Sequence, residues 1–446
     1  MTTKNQDQAN KVGAMSTATQ EPYLKPLLRT SKAFYVSVVL AALVLALGLY
    51  AFYLQLTLGH VVTGLGIISA GGVTYGIYIA FAIYFIGISF AGISTSAAVR
   101  LLGLEKYKPI TRMAELLTVV ALILGATSIL VDLGNPLEAP IFFTLYGRLT
   151  SPFFYTFSVV MAGYLWASLV YIFLSGRRDA ATVRERAPRF KWFYRLWSWR
   201  YDFTSEVIQR HEKALWVLSL AILPVLVMAH SFLGYVFGLE GGRPGWYSAI
   251  QAPAFVVIAG ASGISALIII AAIVRKVFGF KEQISLDVFR GLSNFVGVSV
   301  AVYLYFMASE AYTGLYAGLA NEEAVYQAIY FGAYAPIAWF AVASFIAAFL
   351  MIFAMFLRKK YSLTWIVVAA VLVNLASIAV RYIIVVPSQT NGMMLPWYTV
   401  GTYSPNWVEW SVMAGLFALG YLLYTAVVKI FPIVELPHEA SAGDRR

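Results

Sequence analysis

Apolar residues gather in ten long runs separated by short polar segments. A helix needs about 20 mostly apolar residues to cross a hydrocarbon core of about 30 Å. The runs cover residues 33–58, 73–101, 110–133, 153–174, 214–237, 254–277, 289–311, 334–357, 363–386 and 408–431, numbered here as runs 1 to 10. This pattern predicts an all-α integral membrane protein with ten transmembrane helices. The first 20 residues are polar and lack the short apolar core and cleavage site of a secretory signal, so residues 1–32 are expected to form a disordered tail and run 1 to be retained.

Orientation follows from the basic residues, which are held on the cytoplasmic side during insertion. Lys and Arg number five before run 1, four after run 2, ten after run 4, four after run 6, three after run 8 and three after run 10. The opposite side holds only Arg148, Arg243 and Arg381, and it carries or borders Asp132, Glu138, Glu240, Glu310, Glu322, Glu323 and Glu409. Both termini are therefore expected in the cytoplasm of a cell whose plasma membrane the chain spans. The strict alternation also supports a count of ten, because a missed helix would scramble the signs after it. The longest cytoplasmic segment, 175–213, is expected to be a tether between the two bundles, an amphipathic helix lying on the anionic leaflet, or a specific partner site.

Composition agrees. Of 446 residues, 60% are hydrophobic, 16% aromatic and 12% charged, with a mean hydropathy of +0.75. This excludes an ordinary soluble enzyme, a disordered chain, a coiled coil and collagen. The net charge of +11 is accounted for by topology and does not imply nucleic acid. With no Cys, the chain is expected to hold no disulfide, thiolate nucleophile, Cys-bound zinc or iron–sulfur cluster of its own.

An internal repeat is visible in the charges. Arg112 opens run 3 and Asp132 closes it; Arg290 opens run 7 and Glu310 closes it, each pair twenty residues apart. Runs 2 and 6 share a stripe of small residues: Gly87, Ser89, Gly92, Ser94 and Ser96 in one, Gly260, Ser262, Gly263 and Ser265 in the other. Small residues let helices approach closely. Runs 2–5 and 6–9 are read as two pseudo-symmetric four-helix bundles, flanked by runs 1 and 10. The units are 1–32 (tail), 33–72 (run 1 and outer loop), 73–237 (first bundle), 238–386 (second bundle) and 387–446 (outer loop, run 10 and tail).

Ionisable groups inside a bilayer are costly and mark candidate sites. Asp132, His230 and Glu310 lie in the outer third of their runs, with His60 before run 2 and Arg381 near the outer end of run 9. Acids, His and Arg at one depth suit a site that hydrogen-bonds a quinone and exchanges its protons. Each residue also has a plainer reading, as a snorkelling carboxylate, an interhelical hydrogen bond or an ion pair. His60 and His230 alone cannot ligate the two-haem ladder that carries electrons across a membrane, so no haem is expected.

Several segments resemble the NrfD/PsrC family of membrane subunits. They are HSFLGYVFGLEGGRPGWYSAIQAPAFVVIAGASGISAL (230–267), AELL after Arg112, DLGNP (132–136), SEAYTGLYAG (309–318), VRYIIVVPS (380–388), and GTYSPNWVEW (401–410) followed by KIFPIVEL. The likeness is to the ten-helix branch found in sulfur-metabolism redox complexes and alternative complex III. It implies a subunit that binds quinone or quinol but holds no haem, metal or iron–sulfur cluster, and that docks a ferredoxin-like iron–sulfur subunit on its outer face. Electrons would then pass to or from a molybdopterin catalytic subunit or a multihaem cytochrome c. The resemblance places quinone near the outer surface of the first bundle and points to Asp132, Gly134 and His230. Glu310 and Arg381 match positions for which proton transfer is a reading, and Arg112 and Glu115 are candidates for the start of a cytoplasmic proton path. The chain departs from the family at Val380 and Tyr247, where an acid and a His are common, which puts a route through the second bundle in doubt. The mechanism expected is that His230 and Asp132 bracket the quinone head group. A secondary transporter and a purely structural anchor are the alternatives; a transport site belongs near the midplane, where these runs are nearly free of charge.

Overall fold

The computed structural model describes residues 23–24, 26–27, 30–65, 73–141, 144–145, 147–148, 150–151, 158–186, 190–316, 318–391 and 403–436. Ten long helices dominate: α1 (Lys32–Leu58), α2 (Ile77–Leu101), α3 (Lys108–Asp132), α4 (Ser158–Arg186), α5 (Ser205–Gly238), α6 (Gln251–Phe278), α7 (Leu286–Tyr316), α8 (Ala335–Arg358), α9 (Leu363–Val385) and α10 (Trp407–Ile430). All ten are long and apolar enough to cross a membrane, and no strand occurs among the described residues. The chain is a multi-pass, all-α integral membrane protein. The tail before residue 23 and the end beyond residue 436 lie outside the described residues.

Local signals set several helix starts. The Ser31 hydroxyl accepts the Phe34 amide at the head of α1, and the Thr204 hydroxyl accepts the Val207 amide at the head of α5. Asn406 and Glu409 form a capping box on α10, each side chain accepting an amide at the other residue's position.

The basic segment 175–213 is largely helical. α4 continues through it to Arg186, a short helix spans Lys191–Trp197, and α5 begins at Ser205. Tertiary contacts stabilise these polar turns: Trp197 stacks on Phe431 at 4.4 Å between ring centres, its indole N–H donates to the Phe173 carbonyl at 2.8 Å, and the buried Tyr194 hydroxyl donates to the Ile430 carbonyl. A hydropathy window sees the charges of α4's last turns but not their partners.

Each of α2 to α5 packs on two others, in the ring α2–α3–α4–α5, and α6 to α9 form a second ring in the same manner. The rings meet where α2 touches α6 and α9, and α5 touches α6. α10 packs on α1 and α3. Burial follows: 83% of the apolar window of α2 lies inside the protein against 11% for α1, whose other faces are left to lipid.

The small-residue stripes act at these contacts. A Cβ on Gly92 would meet the Ala114 carbonyl of α3 at 2.0 Å, and one on Gly263 would meet the Ile88 carbonyl of α2 at 2.8 Å. In lipid no solvent drives helices together, so close backbone packing of this kind does much of the holding.

Candidate functional site

α3 ends at Asp132, and the chain turns at Gly134 with φ +71°. Side chains disfavour that left-handed conformation by about 1–2 kcal/mol. His60, in the short helix His60–Val62 after α1, lies directly over this turn: a Cβ on Gly134 would come within 2.7 Å of its Nε2. Glycine is required twice there, by φ and by space.

Three further helices close in. The Tyr78 hydroxyl of α2 donates to Gln55 Oε1 of α1 at 2.7 Å, while Gln55 Nε2 donates to the Val131 carbonyl of α3 at 2.8 Å. α10 contributes Glu409, fully buried, whose carboxylate accepts from the Gly64 amide (2.7 Å), the Tyr403 hydroxyl (2.7 Å) and the Asn406 amide (3.1 Å). Those donors and the start of α10 satisfy its charge.

Not every group in this cluster is satisfied. Asp132 Oδ1 and His60 Nδ1 are both buried with no hydrogen-bond partner among the described residues. Burial pushes the His60 ring below its ordinary value of 6.5, with the Asp132 main-chain contact and the Glu409 charge opposing. Nearby, burial raises the Tyr75 phenol, and the charges of Asp132 and Glu240 add to this. Burial and the Glu409 charge likewise raise Tyr403. The unmet polar atoms of the cluster, among the described residues, are thus one Asp132 carboxyl oxygen and one His60 ring nitrogen. An unmet buried polar atom costs free energy that a ligand would recover.

His230 stands elsewhere. It lies eight residues before the end of α5, about 12 Å of helix rise below that end. Its Nδ1 is 2.8 Å from the Leu226 carbonyl and its Nε2 2.9 Å from the Ile86 carbonyl of α2, with Phe90 and Tyr164 edge-on to the ring. The helices bring Asp132, Gly134 and His60 together, and His230 is in a separate polar pocket at the α2–α5 seam, where the Tyr164 hydroxyl and the Thr118 hydroxyl both donate to the Ser89 carbonyl.

In the second ring, Glu310 Oε2 is 3.5 Å from Gln251 Nε2, and its Oε1 is buried without a partner among the described residues. Arg381 is fully buried, stacked 4.1 Å from the Phe255 ring centre, and forms no ion pair among the described residues. It therefore does not pair with Glu310.

At the basic end, Arg112 and Glu115 join a buried network. Arg112 donates to Glu115 (3.1 Å), to Asp179 (3.0 Å) and to the Ser175 hydroxyl (2.6 Å). Glu115 also accepts from Ser96 at 2.6 Å, Ser96 lies 3.3 Å from the Tyr171 hydroxyl, and Tyr171 is 2.9 Å from the Ser219 hydroxyl. Burial and the Asp179 charge raise the carboxyl of Glu435, which accepts from Thr111. Arg290, the counterpart of Arg112 in the repeat, is instead exposed and 3.9 Å from Asp287.

Sequence reasoning missed Gln55, Tyr78 and Tyr403 as members of the acid-rich cluster, and Asp179 and Ser175 in the basic one. Glu409 carried a readable sign, the N-x-x-E spacing of a capping box at 406–409. Among the described residues no group of three or more His, Asp or Glu is placed to hold a metal ion.

Comparison with known proteins agrees with this architecture. The chain is 23% identical over 412 residues to a selenate reductase subunit of Mesobacillus selenatarsenatis, covering 88% of this chain and 92% of that one. It is 26% identical over 421 residues to an Hdr-like menaquinol oxidoreductase integral membrane subunit of Archaeoglobus fulgidus, covering 90% and 94%. It is also 24% identical over 428 residues, 91% and 93% of the two chains, to a protein of Halobacterium salinarum named as a candidate membrane subunit of dimethyl sulfoxide reductase. Residues 66–391 match the family described as polysulphide reductase, NrfD, and the chain belongs to that family.

Proposed function

We propose that this chain is the quinone-interacting membrane subunit of a respiratory oxidoreductase complex, exchanging electrons between membrane quinone or quinol and a partner iron–sulfur subunit. Its relatives are named as a candidate membrane subunit of dimethyl sulfoxide reductase, a subunit of selenate reductase and an integral membrane subunit of a menaquinol oxidoreductase, which supports the reading. In this proposal the chain spans the plasma membrane with both termini cytoplasmic and the acid-rich end outside, as the basic residues demand.

The observation that carries the proposal is the pair of buried atoms, Asp132 Oδ1 and His60 Nδ1, unpartnered among the described residues, beside the Gly134 turn. They fit a quinone head group, which supplies two electrons and two protons when oxidised as quinol and takes up the same when reduced. Asp132 as a carboxylate accepts a hydroxyl proton, and once protonated it donates to a carbonyl oxygen; His60, neutral, accepts at Nδ1. Gly134 leaves room for the His60 ring, and Glu409, which accepts from three donors, stands beside the site. His230 is proposed to act from its own pocket as a proton-transfer group at the α2–α5 seam rather than by bracketing the head group with Asp132. Arg112 and Glu115 head the hydrogen-bonded line toward Ser219; Glu310 and Arg381 are further candidates for proton transfer. The two helix rings are proposed to be structural repeats, with this site belonging to the first.

Tyr247, Tyr312, Tyr316 and Phe331 are exposed at the acid-rich end, where aromatic surface suits a partner. We place a ferredoxin-like iron–sulfur subunit there, followed by a molybdopterin subunit or a multihaem cytochrome c. The test is to purify the tagged protein in mild detergent from native membranes and identify what co-elutes by mass spectrometry. A Cys-rich ferredoxin-like subunit with either redox partner is expected. Elution alone, or with a solute-binding protein, would remove the electron path and favour transport.

A further inference from the structure

The basic half of the molecule holds an apolar groove of about 720 Å³, remote from the acid-rich cluster. One wall is α6 from Ala266 to Phe278, the other α10 from Phe417 to Lys429, and the floor is made of buried residues of α2 and α3 such as Ile88 and Ala121. From Phe417 to Lys429 the groove follows about 18 Å of helix rise, close to the roughly 15 Å of hydrocarbon in one leaflet.

Its two ends differ in chemistry. At the mouth stand the Lys429 ammonium and the Thr30 and Ser31 side chains. Lys429 is held in place there, donating to the Pro26 carbonyl at 2.8 Å and lying 4.8 Å over the Phe34 ring. The mouth is also the N-terminus of α1, a 27-residue helix whose first amides and dipole favour an anion, with Lys32 as its first residue. At the deep end the polar groups satisfy each other: the Tyr84 hydroxyl donates to Asn374 Oδ1 at 3.0 Å, and Asn374 Nδ2 donates to the Ala370 carbonyl at 2.9 Å. Among the described residues no carboxylate or imidazole lines the groove. A quinone head group would meet neither carboxylate nor imidazole among the described residues there, whereas a phosphate at the mouth meets a cation, two hydroxyls and a helix N-terminus.

We infer that this groove is a structural site for one anionic phospholipid of the leaflet at the basic end, its phosphate at Lys429 and the start of α1 and an acyl chain along α6 and α10. α6 belongs to one helix ring, whereas α10 packs on α1 and α3, so the chain would seal a seam that protein side chains leave unfilled. This inference does not rest on the quinone assignment.

Native mass spectrometry of the full-length protein, purified in its complex and offered equal phosphatidylglycerol and phosphatidylcholine, tests it. The wild type is expected to retain one phosphatidylglycerol per chain in preference to phosphatidylcholine. Lys429→Gln is expected to reduce that preference about fivefold, the weight of one basic side chain at an anionic surface. Ala121→Phe is expected to lose the bound lipid by filling the floor; should it fail to fold, Ile273→Trp fills the groove from its exposed rim with the same expected loss. Equal retention of the two lipids, retention of an isoprenoid quinone in their place, or no lipid on the folded wild-type protein would each overturn the proposal.

Discussion

His60 and Gly134 are fitted to each other across a gap of 74 residues: the imidazole occupies the space in which any Cβ at position 134 would stand, 2.7 Å from Nε2. The contact ties the end of α1 to the end of α3 and leaves His60 Nδ1 and Asp132 Oδ1 as the unmet polar atoms of the cluster among the described residues. A turn glycine and a loop histidine, each ordinary alone, together shape the candidate quinone site.

Gly134→Ala should therefore act on both stability and turnover. The left-handed φ of +71° costs an L residue about 1–2 kcal/mol, and the new methyl displaces His60. A fall in thermal midpoint accompanied by a rise in KM for quinol is expected, measured by calorimetry and steady-state kinetics of the assembled complex. Wild-type values for both would show that the ring does not depend on this turn.

Asp132→Asn keeps the shape and removes the exchangeable proton. Quinone-coupled turnover should drop roughly tenfold or more, within the range of a lost general acid–base group, while the partner subunits still co-purify. Unchanged turnover would sink the assignment of Asp132.

The His60 ring has its pKa held below 6.5 in the folded protein, so the unfolded chain takes up a proton before the native one does. The stability this group contributes is complete above about pH 7 and declines as pH falls through the unfolded value of about 6.5 toward the folded one. Melting temperatures of wild type and His60→Asn, compared from about pH 7.5 to about pH 5, should show a steeper acid-side decline for the wild type. Parallel curves would mean that the ring is not held neutral by its burial.

Arg112→Ala takes away the cation that bridges Glu115 and Asp179, both buried. Breaking a buried ion network from one side typically costs about 3–5 kcal/mol, so the variant should assemble poorly, read as yield of monodisperse complex. Arg112→Ala with Glu115→Gln and Asp179→Asn removes those charges as well and should recover part of that loss. Equal loss in the triple variant would point to packing rather than charge.

The amino-acid sequence by itself determined the ten apolar spans and marked the small-residue stripes of α2 and α6. Hydrocarbon demands long apolar helices, insertion sorts Lys and Arg, and glycines at helix contacts are needed wherever backbones touch. These are properties of single segments, legible in one dimension. Asp132, Gly134, Arg112 and Glu115 were likewise readable as candidates, because an ionisable residue in an apolar run or a DLG turn stands out against its neighbours. Only the tertiary structure decided which candidates meet. It put His60 rather than His230 beside Asp132, enclosed Glu409 in a capping box with Gly64 and Tyr403 as further donors, left Arg381 against Phe255 instead of Glu310, and turned residues 175–186 into helix around Arg112. Depth, helix rotation and inter-ring packing set those pairings, and they depend on contacts between residues dozens to hundreds of positions apart, for which no local pattern carries a signal.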